Sequence, residues 1–429
     1  MTLTAEQAGA DLRAFIDASP TPFHAVAEMT RRLAASGFTE LHERDHWQLA
    51  PGDQRYVVRD GGSVVALRVG SAPLAAVGAR LVGTHTDSPT FKVRPRFDVR
   101  RAGYRLVGVE PYGALLAHTW LDRELTVAGR LAVRSGAGVT MHRVILPGAA
   151  LRLPSLAIHL DRSVREGLVL DPQRQLVPVW GPDQATGPGL LEALADAAAV
   201  DVGDVLGHDL VLADTQPSVA TGADGSWVAA PRLDNLGSCH SGTLALLAAE
   251  PGAHTAVLVA NDHEEVGSGS AEGARGSFLA DVLARLVAAT GGSDPQDLHR
   301  AVASSRLVSA DMAHALHPNY ADRHEPSHAP ALGGGPVLKL NANQSYATDA
   351  GSGGWFAARC ADAGVPLQHF VSRADLPCGS TIGPLTATRL GIATVDVGSP
   401  VLGMHSCREL ASAADVPLMV AALTACLSG

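Results

Sequence analysis

The stretch TAVLVANDHEEVGSGSAEGARG, residues 255–276, decides the fold. Its first six residues are short, apolar and β-branched, which reads as a strand buried on both faces. The run then ends in Asp262, His263, Glu264 and Glu265. Adjacent carboxylates at the end of a buried strand repel one another and need partners. Either this is a solvated loop tip, or a cation completes it.

The same arrangement recurs along the chain. Leu81-Val82-Gly83 runs into Thr84, His85, Thr86 and Asp87, and RLVSA runs into Asp311. IATVDVG is followed by a short loop to His405, and Asp234 precedes a helix over 236–250. In open α/β sheets ligands gather beyond the carboxyl ends of strands. Taken singly, each residue has an ordinary reading: a surface histidine, a helix N-cap for Asp234, a cap before MAHAL for Asp311. Their repetition at four strand ends favours a metal site. Mixed oxygen and nitrogen donors suit Zn²⁺, with Mn²⁺ or Co²⁺ as substitutes.

Composition narrows the classes. The 429 residues exceed one small core, so two domains are expected. Apolar residues make up 46% and charged ones 18%, a globular balance. The net charge of −10 and the absence of a Lys/Arg block argue against nucleic acid or an anionic membrane as partner. The first twenty residues lack a basic region followed by an apolar core, so no signal peptide is expected, and no apolar run is long enough to span a membrane. The five scattered cysteines, Cys239, Cys360, Cys378, Cys407 and Cys426, read as reduced thiols of a cytoplasmic protein.

Residues 5–36 read as helical, with Val26, Met29 and Leu33 on one face and Gly37 as a stop. Val64–Val69 and Leu74–Val82 are short apolar runs. After about residue 92 the pattern alternates: Leu125, Val127, Leu131 and Val133 face one way, and Ser135–Gly138 forms a turn, which is antiparallel chemistry. A helix over 187–199 and a strand over 209–214 follow. The segment PSVATGADGS marks a border near residue 217. Beyond it, strands alternate with helices, as in a mostly parallel sheet covered on both faces.

These segments resemble the aspartyl aminopeptidase family of dinuclear zinc exopeptidases. The matching stretches include GTHTDSPTFKVRP (83–95), LPSLAIHL (153–160), PRLDNLGS (231–238), NDHEEVGS (261–268), SADMAHALHPNY (309–320), GPVLKLNANQSYAT (335–348), PCGSTIGP (377–384) and GSPVLGMHS (398–406). They keep their order over almost the whole chain. The resemblance implies an α/β, zinc-peptidase-like domain with a mixed, mostly parallel sheet flanked by helices. This catalytic domain would be built from residues 1–91 and 217–429, interrupted by a β-rich dimerisation domain at 92–216. It also implies a tetrahedral homo-dodecamer built from dimers.

Residue by residue, the resemblance puts His85 and Asp311 on one zinc and Glu265 and His405 on the other, with Asp234 bridging. Asp87 would orient the His85 imidazole and Glu264 would be the general base. His159 would reach a neighbouring subunit's site to help stabilise the oxyanion. Lys339 and Tyr346 match substrate-pocket positions, and Ser345 departs from the Arg carried by many relatives. Two cations ~3.5–4 Å apart can share a water and polarise the scissile carbonyl. The expected activity is hydrolysis after an N-terminal Asp or Glu, with Lys339 pairing with the acidic side chain and Arg373 as a second candidate. Lys339 also has a plain reading as a strand-edge lysine in solvent. The alternatives are a broad or neutral-selective metalloaminopeptidase of the same fold, or a non-catalytic assembly or cargo-binding homologue.

Overall fold

A computed structural model describes residues 3–428. The chain divides into two compact units. One comprises the residues up to Asp87, Ser218–Met404, and those from Glu409 onward; the other comprises Ser88–Pro217 with His405–Arg408.

The first unit is built on a nine-stranded sheet. In spatial order its strands are Thr39–Glu40, Gln54–Arg59, Ser63–Arg68, Thr255–Asn261, Ala79–His85, Arg306–Ala310, Ala393–Gly398, Val337–Leu340 and Gln368–Val371. The four strands Thr255–Asn261, Ala79–His85, Arg306–Ala310 and Ala393–Gly398 run parallel to one another. Antiparallel pairs flank them, so the sheet is mixed and mostly parallel. Every residue of Thr255–Asn261 is buried, because consecutive side chains feed opposite faces. Val82, Leu258 and Val308 enter the core under helices Leu233–Ala248 and Asp415–Leu427. Leu81, Val257 and Leu307 enter the opposite core with Phe278 and Leu286 of helix Phe278–Ala289.

The N-terminal helical segment is two helices, Ala5–Asp17 and Pro22–Ala35. A reciprocal capping box between Thr4 and Gln7 starts the first. Pro22 sits in the first turn of the second, where its missing N–H costs nothing. Val26, Met29 and Leu33 are buried together. The apolar run 74–82 divides in two: Leu74–Val77 is a short helix, and the strand begins at Ala79 after Gly78 turns the chain at φ +72°. A Cβ at Gly78 would meet the Ser304 backbone at 2.4 Å, so the turn is tied to glycine.

A smaller five-stranded sheet in the same unit joins Val219–Thr221, Trp227–Ala230, Glu409–Ser412, Pro400–Leu402 and Ala313–His314. It matters because Asp234 follows one of its strands and Asp311 precedes another.

The second unit is a six-stranded sheet whose neighbouring strands are all antiparallel. Its core holds Phe91, Trp120, Leu125, Val127, Leu131, Leu210 and Leu212. Leu125–Ser135 and Gly138–Ile145 form a hairpin in which Ser135 pairs with Gly138, and Gly136 takes φ +56°. Gly138–Ile145 is an edge strand that exposes Val139, Met141 and Ile145.

Candidate metal centre and substrate cavity

The carboxyl ends of the parallel strands carry the chemistry. His85 is the last residue of Ala79–His85, and the 262–265 segment follows Asn261, which pairs with His85 in register. Asp311 follows Ala310, and its N–H donates to the Val397 carbonyl at 2.9 Å. Gly398 permits this approach, since a Cβ there would lie 1.9 Å from the Asp311 carbonyl oxygen.

Donor atoms of His85, Asp234 and Asp311 lie within 4.8 Å of one another, and so do those of His85, Glu264 and Glu265. His85 Nε2 stands 3.5 Å from both Asp234 Oδ1 and Asp311 Oδ1. Its Nδ1 faces the Asp87 carbonyl at 3.1 Å and Asp87 Oδ1 at 3.3 Å. A carbonyl only accepts, so Nδ1 donates on this side and Nε2 is the nitrogen turned toward the carboxylates. Asp87 also accepts the Glu264 N–H at 3.0 Å on Oδ1 and the Glu265 N–H at 3.1 Å on Oδ2. One buried carboxylate thus fixes the imidazole and the backbone of the two glutamates.

Five carboxylates, Asp87, Asp234, Glu264, Glu265 and Asp311, crowd around one imidazole. Burial pushes Glu264 up to about 7 against the opposing pull of His85. Burial, then the charge of Asp234, raises Glu265 well above the usual carboxylate range. Burial pulls His85 down, yet Asp234, Asp311 and Asp87 together raise it well above an ordinary imidazole. The cluster therefore holds protons where divalent cations would replace them, and its imidazole and carboxylate donors match zinc chemistry.

Lys339 is buried, in contrast to a solvent-facing strand edge. Its Nζ donates to the Met312 carbonyl at 2.9 Å and lies 3.5 Å from Asp311 Oδ2 and 5.3 Å from the Tyr346 ring centre. Tyr346 also lines a cavity of about 300 Å³ with His314, Arg323, Phe370, Arg373 and Met404. Arg373 is engaged by Asp375 at 2.7 and 3.0 Å. His317 and His324 make local hydrogen bonds, and His328 pairs with Glu325.

Two predicted residues belong to the second unit. His159 lies in an exposed turn. His405 has φ +68°, and its Nδ1 donates to the Ala114 carbonyl at 3.0 Å. Sequence reasoning missed Glu409, a buried carboxylate whose Oε2 accepts the Asp234 N–H at 2.9 Å. The signal available was a charged residue at the start of the otherwise apolar and small strand Glu409–Ser412.

The family profile described as "Aminopeptidase I zinc metalloprotease (M18)" matches residues 15–426. The chain is 49% identical to a probable M18 family aminopeptidase 2 of Mycobacterium leprae, over 98% of each sequence. Its fold is similar to a chain of the Ape4 and Nbr1 complex solved by cryo-electron microscopy, with TM-score 0.96, 37% identity, and coverage of 100% of this chain and 86% of that one. It is also similar to the S. cerevisiae mApe1 dodecamer, with TM-score 0.85, 29% identity, and coverage of 97% and 95%. With matches that run nearly end to end and a zinc-type donor cluster at its strand ends, the chain belongs to the M18 family of zinc metalloaminopeptidases.

Proposed function

We propose that this aminopeptidase removes an N-terminal Asp or Glu from peptides with a two-zinc centre. The carrying observation is the convergence of His85, Asp234, Asp311, Glu264 and Glu265, joined through Lys339, which lies 3.5 Å from Asp311 and 5.3 Å from the Tyr346 ring centre, to the cavity that Tyr346 lines with His314, Arg323 and Arg373. In this reading His85 and Asp311 would hold one zinc, Glu265 and His405 would hold the other, and Asp234 would be shared by both. Mn²⁺ or Co²⁺ would be accepted as substitutes. When bound, the metal pair supplies Lewis acidity and a water of lowered pKa.

The remaining work falls to the chain's own residues. Glu264 takes the proton from the attacking water and delivers it to the leaving amine. Consecutive residues point apart, so Glu265 can serve as ligand while Glu264 serves as base. Asp87 keeps the His85 lone pair aimed outward from its ring. The acidic cluster receives the substrate's free α-ammonium, which favours exopeptidase cleavage. Lys339 and Tyr346 face the N-terminal side chain. His159 is assigned to a neighbouring subunit's oxyanion.

Self-association is supported by the exposed apolar residues of the Gly138–Ile145 edge strand and by Leu160 and Val169, 76% and 88% exposed. We assign the 92–216 region to dimerisation and expect a homo-dodecamer, the assembly of the yeast mApe1 relative. Free cysteines fit a cytoplasmic setting. Among the described residues, no helix is long and apolar enough to cross a membrane.

A neutral-selective aminopeptidase is the second reading. It is favoured by the ion pairs that already engage Lys339 with Asp311 and Arg373 with Asp375. A panel of Asp-, Glu-, Leu- and Lys-initiated peptides separates the two. Higher kcat/KM on the acidic pair supports the first reading; preference for Leu refutes it.

A further inference from the structure

Asp396 lies in the strand Ala393–Gly398, is fully buried, and stands outside the donor cluster. Its Oδ2 accepts the Ala347 N–H at 2.6 Å, and its Oδ1 accepts the Thr381 hydroxyl at 2.6 Å. Its own N–H donates to the Thr348 hydroxyl at 2.9 Å. These partners sit on two different loops. Ala347 and Thr348 directly follow Tyr346. Thr381 ends the segment that carries Pro377 and Gly379. Tyr346, Pro377 and Gly379 all line the 300 Å³ cavity. One strand residue therefore ties two of the cavity-lining segments to the sheet.

The local sequence serves this contact. Gly383 lies in the first turn of helix Ile382–Leu390, and a Cβ there would meet both Asp396 carboxylate oxygens at 2.4 Å. Glycine lets the helix start close over the carboxylate. The chemistry also favours an acid: the two acceptor oxygens meet the Ala347 N–H and the Thr381 hydroxyl, the charge of buried Lys339 favours the carboxylate, and an Asn would turn an NH₂ toward one of the two donors.

We propose that Asp396 is a positioning residue for substrate selectivity, holding loops 341–348 and 377–381 at the separation with which the cavity grips the peptide's N-terminal side chain. This rests on the aminopeptidase reading, and Asp396 acts through Tyr346 and its neighbours, not on the reacting atoms.

The test uses the full-length, zinc-loaded enzyme, the wild type's best peptide from the panel, and an Ala-initiated peptide. Asp396→Asn is expected to raise KM on the best peptide about tenfold, with kcat within about twofold and zinc content unchanged. KM on the Ala peptide should move less than about twofold, because Ala leaves the cavity unfilled. Thr381→Val should raise KM on the best peptide about threefold, and Thr381→Ser, which keeps the hydroxyl, should restore it. An equal loss on both peptides, a fall confined to kcat, or an unchanged KM overturns the proposal. Should Asp396→Asn not fold, the Val and Ser variants at Thr381 decide by the same criterion. Choosing the best peptide by measurement keeps the outcomes apart: a Leu preference ends the acidic reading yet leaves the KM split to be judged.

Discussion

Replacing Asp87 by Asn should weaken zinc binding and turnover together. The native carboxylate is 1% exposed and serves the imidazole and two backbone N–H groups at once. An Asn keeps one oxygen. Its NH₂ must then face the N–H of Glu264 or Glu265, setting donor against donor. A hydrogen bond to a charged group contributes ~1.5–3 kcal/mol, and the loss of one corresponds to roughly 10–150-fold. Outer partners of metal-binding histidines typically affect metal affinity or activity 10–100-fold, which falls in the same range. Competition with a chelating fluorophore reads zinc affinity, and kcat/KM reads activity. Affinity within about twofold of wild type, with unchanged kcat/KM, would refute the reasoning.

Glu264→Gln keeps the shape and removes the base; turnover should fall about 10²–10⁴-fold while zinc content stays near normal. Lys339→Ala strips a buried ammonium from Asp311 and the Met312 carbonyl. Urea unfolding should show a loss of about 3–5 kcal/mol, where a solvent lysine would change almost nothing, and any acidic preference should collapse. Asp415 is 1% exposed and accepts the N–H groups of Gly333 and Gly335, and burial pushes it up to about 6. Its folded-state pKa lies above the unfolded value, so its stabilising contribution is complete below about pH 4 and is lost as pH rises through about 6. The wild type should lose about 3 kcal/mol over that window relative to Asp415→Asn, measured by urea unfolding at pH 4 and pH 7.

The strand ends were legible because β-branched runs stop abruptly at charged residues. Thr255–Asn261 into Asp262 and Arg306–Ala310 into Asp311 need no tertiary knowledge to be read. The hairpin at Ser135–Gly138 was legible from alternation and a glycine-bearing turn. The small sheet was not, since its strands are two to four residues long and too short to show a period. That sheet brings Glu409 to Asp234, a contact across 175 residues. Lys339 was ambiguous for a related reason. VLKL alternates weakly, and only the pairing of its strand on both sides reveals that the lysine is enclosed. Asp396 was hidden inside an apolar strand, its carboxylate's partners Ala347 and Thr381 lying 49 and 15 residues away.

The most direct measurement is the zinc-to-chain ratio of the purified active enzyme, by inductively coupled plasma mass spectrometry after dialysis against metal-free buffer. The structure's cluster of carboxylates around His85 leads to a ratio of two, falling in step with activity as a chelator is titrated. A fully active enzyme holding one zinc or none would contradict the two-zinc centre.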